Sequence, residues 1–121
     1  GFGGCGHQIR DILHIDDVCK IIFLQIKKIN KINNKTFNVG GGYKNSISLY
    51  NLTNKCKKLT GNRIDISRNK KTSIFDIPYF ITDNSKVKKT YKWKPSKNID
   101  QILNDIYKWL LQSKKIRNYF L

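Results

Sequence analysis

Apolar and polar residues alternate along this chain with two periods, and the changes of period mark out its elements. Residues 9–15, Ile-Arg-Asp-Ile-Leu-His-Ile, alternate and are rich in Ile, which predicts a short strand. Asp16 or Asp17 then offers a carboxylate to the free N–H groups of a first helical turn. The helix that follows runs to about Ile29, with Val18, Ile21, Ile22, Ile26 and Ile29 forming one buried stripe at steps of three and four. A polar turn over 30–35 leads to a strand at Thr36-Phe37-Asn38-Val39, which enters Gly40-Gly41-Gly42. Three glycines after a strand mark backbone that needs unusual dihedrals or close approach by a neighbour.

Further on, Ser46 or Ser48 caps a second helix that carries Leu49, Leu52, Cys56 and Leu59 on one face, and Gly61 suits its end. Ile64-Asp65-Ile66 reads as a short strand, 67–75 as a loop, and Tyr79-Phe80-Ile81 as another strand after Pro78. A short helix over 84–91, capped by Asp83, ends at Trp93-Lys94-Pro95. The last helix spans about Ile99 to Lys115, and Ile99, Ile102, Leu103, Ile106, Trp109 and Leu110 form a core stripe on it. Alternating strands and helices predict an α/β fold over residues 1–121, with a set of elements that does not close into a complete domain.

A length of 121 residues allows one domain with a modest core. The chain contains no Met and opens on the glycine-rich Gly1-Phe2-Gly3-Gly4-Cys5-Gly6, so the expectation is a piece cut from something longer. Its net charge of +16 raises a nucleic-acid partner, but the distribution argues against one. The basic residues are overwhelmingly Lys, Arg being confined to Arg10, Arg63, Arg68 and Arg117, and they spread along the chain without clustering. Abundant Lys, Ile and Asn with no Ala fits an A/T-rich coding sequence that fills tolerant surface positions with Lys. Cys5, Cys19 and Cys56 have no C-x-x-C spacing. Cys19 and Cys56 fall in apolar helical patterns as small hydrophobes, which suits a reducing cytosol. No apolar run approaches the roughly 18 residues of a membrane span, so no membrane partner is expected.

Single motifs carry little chemistry. His7 and His14 have no carboxylate or Cys at a helical ligand spacing, so a metal is not expected, and no G-x-S-x-G elbow is present. Gly40-Gly41-Gly42 follows a strand yet lacks both G-x-G-x-x-G and a P-loop Gly-Lys-Ser/Thr. Arg10, two residues after Gln8, is either a surface residue paired with Asp11 or a planar fork for a diphosphate.

Taken in order, the segments resemble the extended short-chain dehydrogenase/reductase family, in particular its sugar-nucleotide epimerases and dehydratases. Gly3 to Val18, with Gln8-Ile9-Arg10-Asp11 and His14-Ile15-Asp16-Asp17, is similar to that family's R-D-x-x-(H/Y)-V-x-D segment. Phe37-Asn38-Val39-Gly40-Gly41-Gly42 resembles its F-N-(V/I)-G-x-G, and Asp76 to Lys86 its D-x-x-x-x-x-x-D-x-x-K. Tyr91-Lys92-Trp93-Lys94-Pro95 is similar to the G-W-x-P that follows, with Lys92 in place of the Gly. The glycine-rich Q-x-R-D-x-L-H form most resembles the CDP-paratose 2-epimerase subfamily.

The resemblance implies the C-terminal part of a Rossmann-like enzyme, its small substrate-binding α/β subdomain, without the N-terminal cofactor half. It implies NAD as the cofactor of the complete enzyme, a nucleotide-diphosphate sugar as substrate and a homo-oligomeric full-length protein. NAD would take a hydride from a sugar carbon and return it to the opposite face, in this subfamily at C2 of a CDP-linked dideoxyhexose. The Tyr/Lys catalytic pair is expected upstream, since no Tyr here is followed four residues later by Lys. What remains is substrate binding by Gln8, Arg10 and Asp76. The family commonly has an Arg three residues before that Asp, and Ser73 stands there, with Arg68 in the same loop but out of register. The alternatives are a 4-epimerase or 4,6-dehydratase and, in other classes, a small basic nucleic-acid-binding module or an interaction module.

Overall fold

The computed structural model describes residues 2–63, 65–69 and 75–113. Its order is β1 (Phe2–Gly3), β2 (Ile9–Asp11), α1 (Ile15–Lys27), a 3-10 turn (Tyr43–Asn45), β3 (Ser46–Ser48), α2 (Leu49–Thr60), β4 (Arg68–Asn69), β5 (Tyr79–Phe80), α3 (Ser85–Tyr91) and α4 (Ile99–Gln112). β1 and β4 pair in parallel, and a second sheet has the order β3-β2-β5, with β2 antiparallel to β3 and parallel to β5. The architecture is α/β, as expected, with central β2 fixing the register of everything around the candidate site.

The strand expected over 9–15 stops at Asp11 because His14 begins the helix. His14 Nδ1 accepts the Asp16 N–H at 3.0 Å, so the cap of α1 is His14, not Asp16 or Asp17. Asp17 is fully buried instead. Its carboxylate accepts the Ser96 hydroxyl and N–H, the Lys97 N–H and the Lys20 ammonium, and Trp93 Nε1 donates to its carbonyl at 3.0 Å. Burial pushes this carboxyl up, but the Ser96, Lys20 and Lys97 donors outweigh it and hold the pKa at about 2. Asp17 therefore fastens the turn after α3 onto α1, over a core of Ile21, Val87, Tyr91 and Trp93. Leu13, Leu24, Ile32, Phe37 and Val39 pack against that core, with the Phe37 and Tyr91 rings edge to face at 5.2 Å.

Several expected elements differ. Residues 36–39 are not assigned as a strand, because a strand needs a neighbour's backbone and none of the described residues supplies one. Ser46–Ser48, expected only to cap, pairs with β2 before Ser48 caps α2, and Gly61 ends that helix at φ 74°. Asp65 and Ile66 are not in a strand, whereas Arg68–Asn69, expected in a loop, pairs with β1. The cap position of α3 is Asn84, without a side-chain cap hydrogen bond, rather than the expected Asp83, which lies just before it and accepts the Ser85 N–H at 2.8 Å. The hydroxyl and N–H of Ser85 hold its carboxyl below the usual carboxylate range. A full capping box of Asn98 and Gln101 starts α4.

The two helical stripes expected to be buried are largely not. Ile22, Ile26 and Ile29 are exposed, Ile21 alone of the α1 stripe is fully buried, and on α4 Ile102 is buried while Ile106 and Trp109 lie more than 45% exposed. Cys19 is exposed rather than a core thiol, Cys56 half-buried, and all three cysteines are free. Residues Lys114 and Lys115, the expected end of α4, fall outside the described residues.

Candidate functional site

The side-chain period of a strand puts residues i and i+2 on one face, so Gln8 and Arg10 point the same way from β2. β5 lies parallel beside β2, with Ile9 opposite Tyr79 and Arg10 opposite Phe80, and the Ile9 N–H donates to the Pro78 carbonyl at 2.9 Å. This register carries the segment before β5 past Gln8 and Arg10, and Asp76 meets both. Gln8 Nε2 donates to Asp76 Oδ2 and Arg10 Nη2 to Asp76 Oδ1, each at 2.9 Å, while Arg10 Nη1 donates to the Ile9 carbonyl at 2.8 Å. The three residues singled out from the sequence thus form one cluster across 68 positions. Arg10 pairs with Asp76 and not with Asp11.

Gln8 is buried, whereas the Arg10 and Asp76 side chains are 37% and 30% exposed. An ion pair this wet contributes at most about 1 kcal/mol to stability. Arg10 has five N–H donors and the two hydrogen bonds above use only part of its fork. The cluster is a half-open arrangement of fixed donors and acceptors, able to take an anion on Arg10 and a hydroxyl on Asp76.

Asp11 has a different task. Its Oδ2 accepts the Gly42 N–H at 2.8 Å and its Oδ1 takes the Thr82 hydroxyl at 3.3 Å. Asn84 grips Gly40 from the other side, accepting from its N–H at 3.0 Å and donating to its carbonyl at 2.8 Å. A Cβ on Gly41 would lie 2.1 Å from the Ile12 carbonyl oxygen, and Gly42 has φ 69°. The triple glycine is therefore a packing joint between β2 and α3. A carboxylate already occupies the Gly42 N–H, which is the reverse of what a pyrophosphate needs, so the turn does not fit NAD.

Two further clusters are polar. Lys97 Nζ bridges Asp105 and, at 3.2 Å, Asp16, while His14 Nε2 lies 3.5 Å from Asp105. The Asp105 hydrogen bond raises the Lys97 ammonium and the Lys97 hydrogen bond lowers the Asp105 carboxyl, a mutual stabilisation of the charged forms. A cavity of about 750 Å³ on the opposite face of β2 is lined by His7, Ile9, Ser46, Ser48 and Lys55 among others, and none of Gln8, Arg10 or Asp76 lines it. Among the described residues no group of His, Cys, Asp or Glu is placed to hold a metal ion. No described helix is long and apolar enough to cross a membrane. Ser73 and the Arg68 side chain fall outside the described residues.

Sequence reasoning missed Asp17 as a fastener. Its signal was adjacency to Asp16: only one of two successive helical residues can face the core, and the buried one needed donors from elsewhere.

The chain is similar in sequence to part of a curated sugar-nucleotide epimerase and shares its fold with about a third of solved sugar-nucleotide epimerases and of a 4,6-dehydratase. In sequence it is similar to CDP-paratose 2-epimerase of Salmonella typhi, 29% identical over 109 residues that cover 88% of this chain and 31% of that protein. No family model matches the chain. In structure it is similar to UDP-glucose 4-epimerase of Thermotoga maritima, with a TM-score of 0.78 at 23% identity, covering 93% of this chain and 34% of that one. The dTDP-glucose 4,6-dehydratase of Bacillus anthracis, solved with NAD, superposes with a TM-score of 0.77 at 23% identity over 94% of this chain and 34% of the dehydratase. An epimerase of Methanothermobacter thermautotrophicus reaches a TM-score of 0.85 at 15% identity, over 97% of this chain and 34% of the epimerase. The chain spans about a third of the length of these relatives.

Proposed function

We propose that this chain is the nucleotide-sugar-binding part of an NAD-dependent sugar-nucleotide epimerase, and that Gln8, Arg10 and Asp76 form its grip on the nucleotide. The observation that carries this reading is the meeting of Gln8 and Arg10 on the two oxygens of Asp76, in a half-open cluster whose ion pair adds little to stability. Asp76 fixes the Arg10 fork at a set angle, and the remaining N–H groups present paired, charge-assisted donors to a diphosphate. The second lone pairs on Asp76 accept from hydroxyls of a ribose. Gln8, buried and tied to Asp76, sets the position of that carboxylate.

NAD is assigned to the complete enzyme and not to this chain, whose glycine turn is filled by Asp11 and Asn84. The likeness to the Salmonella typhi protein supports the finer reading, inversion at C2 of a CDP-linked dideoxyhexose. Reaction at C4 is the alternative within the same class, supported by the likeness to the 4-epimerase and the 4,6-dehydratase.

Calorimetric titration of CDP and UDP into the wild-type chain and an Arg10→Ala variant tests the grip. A lost charge-assisted contact of about 1.5–3 kcal/mol weakens binding by roughly 10- to 150-fold. Tighter binding of CDP than UDP supports the cytidine reading, and the reverse favours a uridine sugar. Absence of saturable binding, or an Arg10→Ala variant that binds within twofold of wild type, refutes the assignment.

A further inference from the structure

α2 turns a polar face toward the sheet. Asn51, Asn54, Lys55 and Lys58 stand at i, i+3, i+4 and i+7, on one side of the helix, and all four line the cavity of about 750 Å³ together with Ile9 and Ser48. The apolar stripe of the same helix, Leu49, Leu52, Cys56 and Leu59, is centred roughly 130° away at 100° per residue. A helix laid on a sheet to bury surface turns such a stripe inward. Here the space between helix and sheet is open and polar instead. Its volume falls within the roughly 300–1,000 Å³ of small-molecule sites.

The second observation is the chemistry of that wall. The Asn51 and Asn54 carboxamides make no hydrogen bond among the described residues, so each offers two N–H donors and an acceptor. The Ser48 oxygen accepts the Asn51 N–H at 3.2 Å, which leaves its hydroxyl hydrogen as a donor. No described carboxylate lines the cavity. Lys58 has no ion pair among the described residues, and the Lys55 pair with Asp100 is 40% and 66% exposed. A pair this wet contributes little, so a phosphate that bonds both lysines displaces it. Half-buried Ile9 gives the wall an aliphatic floor.

Amides and a hydroxyl suit a ligand rich in hydroxyls, an aliphatic floor suits the C–H face of a sugar ring, and paired ammonium groups suit a phosphate. We propose that this cavity binds a phosphorylated sugar, with the phosphate on Lys55 and Lys58 and the sugar hydroxyls on Asn51 and Asn54. It is a second site, because Gln8 and Arg10 leave β2 on one face and Ile9 leaves it on the other. It needs neither NAD nor a nucleotide. Its affinity falls with rising salt, since the lysine wall is exposed to solvent.

The probe is glucose 1-phosphate, with inorganic phosphate and glucose as separate arms, titrated into the isotope-labelled chain and followed by amide chemical shifts. Saturable shifts are expected at Ser48, Asn54 and Lys58, and inorganic phosphate should bind roughly tenfold more weakly or worse. Lys58→Gln should weaken glucose 1-phosphate by about tenfold or more, because a charge-assisted contact is lost. Asn54→Ala should weaken glucose 1-phosphate and leave inorganic phosphate unchanged. Arg10→Ala should leave this binding unchanged while weakening the nucleotide grip, so the two readings fail separately. The proposal is overturned by shifts that do not saturate, or by saturable shifts confined to Gln8, Arg10 and Asp76. It is equally overturned if inorganic phosphate binds as tightly as glucose 1-phosphate, which makes the wall a general anion surface.

Discussion

Replacing Asp17 by Asn removes one charge from a fully buried carboxylate and leaves its shape almost unchanged. In the wild type the group accepts four hydrogen bonds, the shortest at 2.5 Å from the Ser96 hydroxyl. Its pKa falls from 3.8 to about 2, and at 1.36 kcal/mol per unit that shift corresponds to about 2.5 kcal/mol of stability at neutral pH. In Asn one oxygen becomes an NH2 facing donors, so the expected loss is about 2–3 kcal/mol, roughly 10 °C in Tm for a domain of this size. Because the folded pKa is depressed, the stabilisation is complete above about pH 4 and disappears as pH falls through about 2. Thermal unfolding followed by circular dichroism at pH 7, 4 and 2 is the assay. The wild-type and Asp17→Asn curves should lie well apart at pH 7 and converge towards pH 2. Ser96→Ala, which removes one donor and keeps the charge, should cost about 1 kcal/mol and allow a measurement even if Asp17→Asn does not fold. Equal Tm values at pH 7, or a gap that persists at pH 2, would refute the reasoning.

Lys92 ends α3 at φ 56°, in the left-handed region that favours Gly, so Lys92→Gly should stabilise the chain by about 0.5–1 kcal/mol in chemical denaturation. Gly41→Ala drives a methyl to 2.1 Å from the Ile12 carbonyl and should lower Tm by 10 °C or more, on the order of 3 kcal/mol. Gly61→Ala meets nothing within 4 Å and strains only its φ of 74°, so the same melt should show a loss of about 1 kcal/mol.

The helices were legible through their apolar periodicity and, for α2, through local signals at both ends, whereas the caps of α1 and α4 were not read. Ser48 caps α2 through its side-chain oxygen, and Gly61 ends it in the left-handed region that a residue without a Cβ adopts freely. The three residues of the candidate site were legible only through the order of family-like motifs, since a hydrogen bond across 68 positions leaves no trace in periodicity. Strands were read poorly for a physical reason. Ser46–Ser48 and Arg68–Asn69 are strands because of their partners, not their composition, and Thr36–Val39 has the composition without a described partner. The apolar stripes of α1 and α4 were read correctly as stripes and wrongly as buried, because periodicity reports what a helix can bury and not what is present to cover it.

Charge carries the last step. All eight acidic residues are Asp, in a chain with 24 Lys and Arg. Among the described structure Asp11 holds the glycine turn, Asp17 the turn after α3, Asp76 the Arg10 fork and Asp83 the start of α3. Asp16 and Asp105 share Lys97, and Asp100 takes Lys55 at 2.5 Å. Seven of the eight thus have a named partner, and Asp11, Asp17 and Asp83 accept from backbone N–H groups. Among the described residues Lys20, Lys55 and Lys97 are the lysines paired with these carboxylates, and repulsion among exposed ammonium groups is damped by solvent and salt. The seven partnered Asp are therefore a better guide than the net charge of +16 to where this chain is held together.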